Sequence, residues 1–177
     1  MGIMLRRATP GDVEGIALLH ADSWRRNYRG AYLDSYLDGD VINDRIAVWG
    51  ERLSAAHGTH TVVAVDGGRV VGLAHTIFNA DVDWGALLDN LHVAHALKGT
   101  GLGTRLMAET ATAVLEARSG SGLHLWVLEQ NTPAQRFYAA RGGEHVGGGL
   151  AGPFPGGGRA YALRYVWRDP SVLLSTL

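Results

Sequence analysis

The chain has 177 residues, of which 46% are hydrophobic, and its 16 basic and 17 acidic side chains leave a formal net charge of −1. This length and composition predict a single domain over residues 1–177, and the balanced charge gives no electrostatic case for binding nucleic acid or a membrane surface. The chain has no cysteine, which excludes disulfides, thiol catalysis and cysteine metal sites, and its eight histidines show no ligand-like spacing, so we expect no metal.

Sequence patterns in the first half of the chain predict strands, helices and one clear hairpin. In chain order they are a strand at 3–7, a helix that begins after Thr9, a polar and aromatic stretch at 24–36, a helix from Asp40 to about Ala56, and strands at 61–65 and 69–78. The residues Asp66-Gly67-Gly68 between the last two strands are typical of a tight hairpin turn.

The second half alternates strands with helices. It begins with a loop at 79–85, a strand at about 86–93 and a helix that opens at the glycines after Lys98; then follow a strand at 123–128, a helix from Thr132, and strands at 145–147 and 161–167 joined by a segment rich in glycine and proline at 147–158. The whole order, β-α-α-β-β-β-α-β-α-β-β, predicts an α/β fold.

The segment from Lys98 to Thr104 predicts a phosphate-binding loop. A strand that feeds a glycine-rich turn into a helix places unpaired N–H groups at the positive end of the helix dipole. Gly101 and Gly103 have no Cβ, which would let a pyrophosphate approach the backbone. The dinucleotide and P-loop fingerprints are both absent. The alternative is an ordinary glycine-rich turn that caps a core helix.

A second motif follows shortly after the strand at 123–128. Thr132 is a candidate N-cap, Pro133 occupies the first helical position, and Gln135 would complete a capping box. The helix then carries the adjacent aromatic pair Phe137 and Tyr138 and ends before two glycines.

Together the two motifs resemble the acetyl-CoA-binding core of the GNAT superfamily of N-acetyltransferases. The resemblance implies a mixed, mainly antiparallel sheet of about six or seven strands flanked by about four helices and splayed between the strands at 86–93 and 123–128. It also implies acetyl-CoA as the co-substrate. The family usually has Arg or Gln at the position of Lys98. The coenzyme contacts implied are Leu91, His92, Val93, Lys98, Gly99, Thr100, Gly101, Leu102, Gly103, Thr104, Asn131, Ala134 and Phe137.

The resemblance also assigns roles in acetyl transfer. Tyr138 matches the family's general-acid tyrosine, whose hydroxyl approaches the coenzyme sulfur, although a helical tyrosine can equally serve packing. The Val93 amide is the candidate oxyanion donor, and an ordinary ladder hydrogen bond is its alternative.

The general base is the point where the sequence departs from the family pattern. Many members carry a glutamate at the position of Leu87, which cannot accept a proton. Counting by twos along the strand places Asp89 on the same side, with Asn90 and His92 on the other, so Asp89 is the first candidate base. His92, Glu129 and an amine that arrives neutral remain open.

The resemblance implies an acceptor site built by the first two helices, the loop after the third strand and the C-terminal strands, and the aromatic side chains and scattered carboxylates of these segments suit a cationic amine. The predicted contacts are Trp24, Tyr28, Trp84 and Glu129, with Tyr32, Phe154, Tyr161, Asp22, Asp34, Asp81 and Asp83 in the same segments. The residues from Ser23 to Gly30 also resemble a subgroup of small-molecule and polyamine acetyltransferases. The alternative for these residues is packing and solvated loop charge.

The sequence thus predicts an N-acetyltransferase that acts directly on an amine of a small molecule, a polyamine or a peptide. A non-catalytic acyl-CoA-binding or sensor domain of the same fold is the first alternative, and a nucleotide-binding module of another fold is the second. The chain has neither an apolar leader nor an apolar run long enough to span a bilayer, so we expect a cytoplasmic protein. A homodimer is compatible with these predictions.

Overall fold

The computed structural model describes residues 2–55, 57–117 and 122–176, and this part of the chain forms one open, seven-stranded sheet with helices on both faces. The strands are β1 (Met4–Arg7), β2 (Thr59–Asp66), β3 (Arg69–Asp81), β4 (Gly85–Val93), β5 (Leu123–Leu128), β6 (Glu144–Ala151) and β7 (Ala160–Trp167). The helices are α1 (Val13–Asn27), α2 (Asp34–Leu37), α3 (Val41–Ser54), α4 (Leu102–Glu116) and α5 (Thr132–Ala139), with short 3₁₀ turns at Pro10–Asp12, His95–Leu97 and Pro170–Thr176.

The sheet has the order β1-β2-β3-β4-β5-β7-β6, and its one parallel pair within the described residues is β4 with β5. These two strands pair only where Ala86 meets Leu123 and Leu87 meets His124. The rest of β4 diverges from β5, which pairs along its full length with β7. The predicted α/β fold and the predicted splay are confirmed.

Alternation along the strands divides the core between the two faces of the sheet. On β2, Val62 packs into the cluster that contains Leu106 of α4, whereas Val63 packs against Ile16 of α1 and Trp49 of α3. Successive side chains of a strand point to opposite faces, so α4 covers one face and α1 with α3 covers the other. The gap between β4 and β5 therefore opens between two helical layers.

A β-bulge at Asp89 changes the side-chain direction in the middle of β4. Thr76 of β3 pairs with Leu88, whereas the preceding His75 pairs with Asn90, so Asp89 is the extra residue. Because a bulge interrupts the alternation of side chains, counting by twos fails there. The prediction that Asn90 and His92 face away from Asp89 is corrected, since the Asn90 side-chain amide donates to Asp89 Oδ2 at 2.6 Å and His92 Nε2 lies 3.3 Å from Asn90 Oδ1.

Several element boundaries differ from the sequence prediction for tertiary reasons. Helix α1 extends into the polar and aromatic stretch at 24–36 and ends at Asn27, and β3 continues to Asp81 where a loop was predicted. Strand β6 includes the glycines at 147–149, which pair with β7. Asn131 rather than Thr132 caps α5. Helix α3 ends at Ser54, and the predicted end at Ala56 lies outside the described residues.

Buried histidines make the stability of the fold sensitive to mild acid. His75 shares one hydrogen bond with Thr61 at 2.8 Å, and burial lowers its pKa from 6.5 to about 4. Burial likewise lowers the pKa of His92 to about 4. Between pH 6.5 and 4 the unfolded chain binds protons on these side chains that the folded chain does not, so folding becomes less favourable as the pH falls.

We expect the free energy of unfolding to fall between pH 6.5 and 4 by on the order of 3 kcal/mol for each such histidine. Urea unfolding at a series of pH values measures this loss. The His75→Gln variant removes one titrating group and should therefore show a shallower pH dependence than the wild type. An equally steep dependence in the variant would remove His75 from this explanation.

Candidate active site

A cavity of about 660 Å³ opens at the gap between β4 and β5. Its walls come from α1, α3, β4, the loop before α4, β5, α5 and the segment before β7. The predicted site residues that line it are Trp24, Tyr28, Asp89, Leu91, His92, Val93, Lys98, Gly99, Gly103, Asn131, Ala134, Phe137 and Tyr138. The structure thus brings both predicted catalytic side chains and most of the predicted coenzyme contacts to one cavity.

Four predicted coenzyme contacts stand beside the cavity rather than in its walls, namely Thr100, Gly101, Leu102 and Thr104. The Leu102 side chain is buried in the core under the sheet, and the Thr104 hydroxyl accepts hydrogen bonds from the guanidinium of Arg141. These two side chains are therefore committed to contacts within the protein, which leaves the backbone amides of the loop as the groups available to a ligand.

Two predicted acceptor contacts, Trp84 and Glu129, also lie outside the cavity walls. The Trp84 ring lies 5.6 Å from the guanidinium carbon of Arg164 and 5.3 Å from that of Arg168, and it lines a separate small cavity of about 90 Å³. Glu129 is exposed, and its carbonyl accepts a hydrogen bond from the Gln135 side chain.

The free edge of β4 presents two amide groups to the cavity. The Ala94 N–H donates to Val71 on the β3 side at 2.9 Å. Because successive N–H groups of a strand point to opposite edges, those of Leu91 and Val93 point into the gap. Beyond Leu87, no strand in the described part of the chain pairs with this edge of β4, so these amides are positioned to meet a ligand.

The loop before α4 has the backbone expected of an anion-binding turn. Gly99 and Gly101 have φ values of 81° and 86°, which residues with side chains rarely adopt. The first intrahelical bond of α4 joins Arg105 N to Gly101 O at 3.1 Å, so the N–H groups before Arg105 have no partner within the helix. Gly103 also packs closely against α5, because a Cβ there would lie 3.1 Å from the Phe137 ring.

Helix α5 carries Tyr138 into the opposite wall of the cavity. The Asn131 side chain accepts a hydrogen bond from Ala134 N at 3.4 Å and thereby fixes the start of this helix. Only 9% of Tyr138 is exposed, and burial, followed by the neighbouring Tyr28, raises the pKa of its hydroxyl well above the ordinary value. The hydroxyl therefore keeps its proton at neutral pH and can donate it.

A chain of hydrogen-bonded polar side chains joins Ser23 of α1 to His92 and Asn90 of β4. The Ser23 hydroxyl lies 2.9 Å from His92 Nδ1, and His92 Nε2 lies 3.3 Å from Asn90 Oδ1. The Asn90 amide oxygen can only accept, so we assign the ring proton to Nε2 and let Nδ1 accept from Ser23. Both nitrogens of this neutral imidazole are thus engaged.

Asp89 ends this polar chain at the bulge. Its Oδ2 lies 2.8 Å from Arg52 Nη1 of α3, and about a third of each side chain is exposed. Tyr28 lines the same cavity, and burial and then Asp89 raise its pKa to about 12. A carboxylate, a neutral imidazole and two protonated phenols therefore line one cavity together with the free edge of β4.

The far end of the cavity has an aromatic wall. The rings of Trp24 and Tyr32 are 4.7 Å apart, and Tyr32 stacks on Phe154 at 4.6 Å. The four aspartates predicted here, Asp22, Asp34, Asp81 and Asp83, are not among the lining residues. Three of them pair with arginines elsewhere, Asp22 with Arg26, Asp34 with Arg29 and Asp81 with Arg164.

Two arginines of α3 line the cavity and are absent from the sequence prediction. Arg45 and Arg52 share one face of the helix with Val48, at the i, i+3 and i+7 spacing. The sequence contains this spacing. The apolar positions of this helix fit a single stripe only loosely, however, so the sequence does not show which face of the helix lines the cavity.

Two further observations bear on the class of protein. Among the described residues, no group of three or more His, Asp or Glu side chains could hold a metal ion. No helix in this part of the chain is both long enough and apolar enough to cross a membrane.

Comparison with known proteins identifies relatives of this arrangement. The model of the acetyltransferase (GNAT) family matches residues 20–143. A probable N-acetyltransferase of Mycobacterium tuberculosis is 29% identical over 142 residues, which are 77% of this chain and 76% of that protein. An N-acetyltransferase of Bacillus subtilis is 28% identical over 146 residues, which are 81% of this chain and 82% of that protein.

Solved structures share the fold at low sequence identity. The PaiA N-acetyltransferase of Thermoplasma acidophilum in complex with coenzyme A superposes with a TM-score of 0.71 at 15% identity, over 94% of this chain and 100% of that one. A spermidine N-acetyltransferase variant of Vibrio cholerae gives a TM-score of 0.70 at 16% identity, over 99% of this chain and 98% of that one.

The family match spans the splayed strand, the glycine loop and α5, which are the elements that form the cavity. Enzymes of the matched family use acetyl-CoA, and the predicted family and enzyme class are confirmed. The chain belongs to the GNAT family of acetyltransferases and is an N-acetyltransferase of that family.

Proposed function

We propose that this enzyme transfers the acetyl group of acetyl-CoA directly to an amine while both substrates occupy the cavity. The observation that carries the proposal is that the free edge of β4 between Leu88 and Val93 lines the same cavity as Tyr138. This arrangement offers hydrogen-bond donors to an extended substrate on one side and a proton donor on the other.

In this proposal the coenzyme lies along the gap with its pyrophosphate at the start of α4. The amides of the glycine loop and the side chain of Lys98 bind the phosphates. The pantetheine arm pairs with the free amides of Leu91 and Val93, as an added strand would pair with an open edge. Ala134 and Phe137 form the apolar side of this channel.

The chemistry then follows from what each group can hold or donate. The neutral amine attacks the thioester carbonyl carbon, and the Val93 N–H stabilises the resulting oxyanion. Collapse of the tetrahedral intermediate breaks the C–S bond, and the Tyr138 hydroxyl protonates the departing thiolate. No cysteine is present for an acetyl-enzyme intermediate, which supports direct transfer.

Asp89 is our first candidate for the group that accepts the proton of the acceptor. Among the described residues that line the cavity it is the only carboxylate, whereas Glu129 lies outside the walls and burial lowers the pKa of His92 to about 4. A weakly basic imidazole whose two nitrogens are hydrogen-bonded is a poorer proton acceptor in this position.

We expect Asp89→Asn to lower activity mainly below the pKa of the acceptor amine. Without the base only the neutral amine reacts, so the rate should fall about tenfold for each pH unit below that pKa. The pH dependence of kcat/KM measures this effect. Asp22→Asn, which removes a carboxylate from a surface ion pair, is the matched control. An unchanged profile in Asp89→Asn would exclude Asp89 and make His92 the next residue to test.

A screen of amines tests the proposed function itself. Because the chain contains no cysteine, a thiol reagent reports only the coenzyme A that is released. Amino acids, arylalkylamines, polyamines and a peptide with a free N-terminus cover the acceptor classes. We expect release that depends on at least one acceptor. If acetyl-CoA binds but no amine promotes release, the non-catalytic acyl-CoA-binding domain becomes the better account.

A further inference from the structure

The described walls of the cavity hold more basic than acidic side chains. Arg45, Arg52 and Lys98 line it together with a single carboxylate, that of Asp89. Lys98 belongs to the loop that faces the coenzyme phosphates. Because Arg45 is paired with Asp44 and Arg52 lies next to Asp89, this part of the cavity has no excess of negative charge for an acceptor that carries only positive charge.

The two arginines differ in how far their own partners occupy them. Arg45 is 6% exposed; its Nε and Nη2 donate to Asp44 at 3.2 and 2.7 Å, and its guanidinium carbon lies 4.5 Å from the centre of the Trp24 ring. This guanidinium is thereby fixed in the wall by Asp44, which does not line the cavity.

Arg52 retains donor capacity toward the cavity. Its buried Nη1 forms an ion pair with Asp89 Oδ2 at 2.8 Å, while 30% of the whole side chain is exposed and the residue lines the cavity. Its Nε and Nη2 make no hydrogen bond within the described part of the chain, and these two nitrogens lie on one edge of the guanidinium, where a carboxylate can accept from both.

Arg52 and Asp89 together form a pair of adjacent opposite charges beside the free edge of β4. A molecule that carries an ammonium and a carboxylate on one carbon atom presents the complementary pair of charges. Its carboxylate can accept two parallel hydrogen bonds from Arg52, and its amine then lies next to Asp89. The remaining substituent would lie against the aromatic wall of Tyr28, Tyr32 and Phe154.

We propose that the acceptor is an α-amino acid with an apolar or aromatic side chain, and that Arg52 binds its carboxylate. This inference rests on the proposed function and specifies its substrate class. An amine without the carboxylate leaves Nε and Nη2 of Arg52 without an anionic partner, and a peptide N-terminus offers an amide oxygen in place of the carboxylate.

Three matched acceptors separate these classes. L-phenylalanine carries the carboxylate, L-phenylalaninamide replaces it with a neutral amide, and phenylethylamine lacks it. We expect kcat/KM for L-phenylalanine to exceed both others by at least about tenfold. This order opposes intrinsic reactivity, because the amine of the amide is the least basic of the three and reaches the neutral form most easily.

The Arg52→Met variant tests whether Arg52 binds the carboxylate of the acceptor. We expect it to lower kcat/KM for L-phenylalanine by about 10- to 100-fold, chiefly through KM, and to leave phenylethylamine equal or better. Arg26→Met, which removes an arginine from the surface pair with Asp22, should change neither acceptor. A wild-type enzyme that prefers phenylethylamine or the amide, or an Arg52→Met variant that keeps its preference for the amino acid, would overturn the proposal.

Product binding distinguishes failure of this inference from failure of the proposed function. The two products compared are N-acetyl-L-phenylalanine and N-acetylphenylethylamine. Calorimetry measures the affinity of each for the coenzyme A complex of the wild type and for that of Arg52→Met. Binding that requires both the carboxylate and Arg52, without turnover of any amine, would support the site and contradict catalysis. Equal binding of both compounds would overturn the assignment of Arg52 whatever the turnover.

Discussion

Tyr138→Phe is expected to slow acetyl transfer by about 10²–10⁴-fold, the usual contribution of a general acid, while coenzyme affinity stays at the wild-type value. The substitution removes the hydroxyl of a residue that lines the cavity and keeps the ring, which packs near Tyr165 and Trp167 in the core. Because the pKa of this hydroxyl is raised by burial, its proton is available throughout the neutral range. Single-turnover kinetics measure the chemical step without interference from slow product release.

The neighbouring Tyr165 supplies the control for this substitution. Its ring lies 6.1 Å from that of Tyr138, and it is also buried, but it does not line the cavity. Tyr165→Phe should therefore keep the wild-type rate. If Tyr138→Phe also turns over at the wild-type rate, its hydroxyl serves packing alone and the thiolate leaves without this acid.

Gly101→Glu is expected to weaken acetyl-CoA binding by about 100-fold, since it places a negative charge within a few ångströms of the pyrophosphate. Gly101 precedes α4 with a φ of 86°, and a Cβ at this position would have open space within 4 Å, so the new side chain has room to occupy the mouth of the loop. Isothermal titration calorimetry with acetyl-CoA gives the affinity directly.

Gly58 offers a matched position for the same change. It also has a positive φ, 77°, and open space around a Cβ, but it precedes β2 and is not part of the glycine loop before α4. Gly58→Glu thus carries a similar backbone penalty and the same added charge. Its affinity should equal that of the wild type. Similar losses in both variants, or wild-type affinity in Gly101→Glu, would contradict the assignment of the loop.

The sequence was sufficient to predict those elements of the fold and of the site that depend on local signals. The hairpin glycines, the glycine loop before α4 and the helix that carries Tyr138 each have a pattern that works over a few residues. The splay between β4 and β5 is confirmed as well, but its prediction rested on the resemblance to the family and not on the residues of β4 themselves.

The parts that were missed depend on pairing and packing between distant segments. The bulge at Asp89 exists because His75 and Thr76 of β3 pair on either side of it, and no residue type marks it locally. Glycines 147–149 carry no side chains that favour a strand, yet β7 pairs with them. The position of Arg52 beside Asp89 depends on how α3 packs over β4. Tertiary contacts of this kind override local preference.

Initial velocities of coenzyme A release, measured over a grid of acetyl-CoA and acceptor concentrations, test the central claim most directly. Direct transfer in the cavity requires both substrates to be bound together, so reciprocal plots at fixed acceptor concentrations should intersect. Parallel lines would mean that the acetyl group is first passed to the enzyme, and release that does not depend on the acceptor would mean that the cavity binds acetyl-CoA without transferring its acetyl group to an amine.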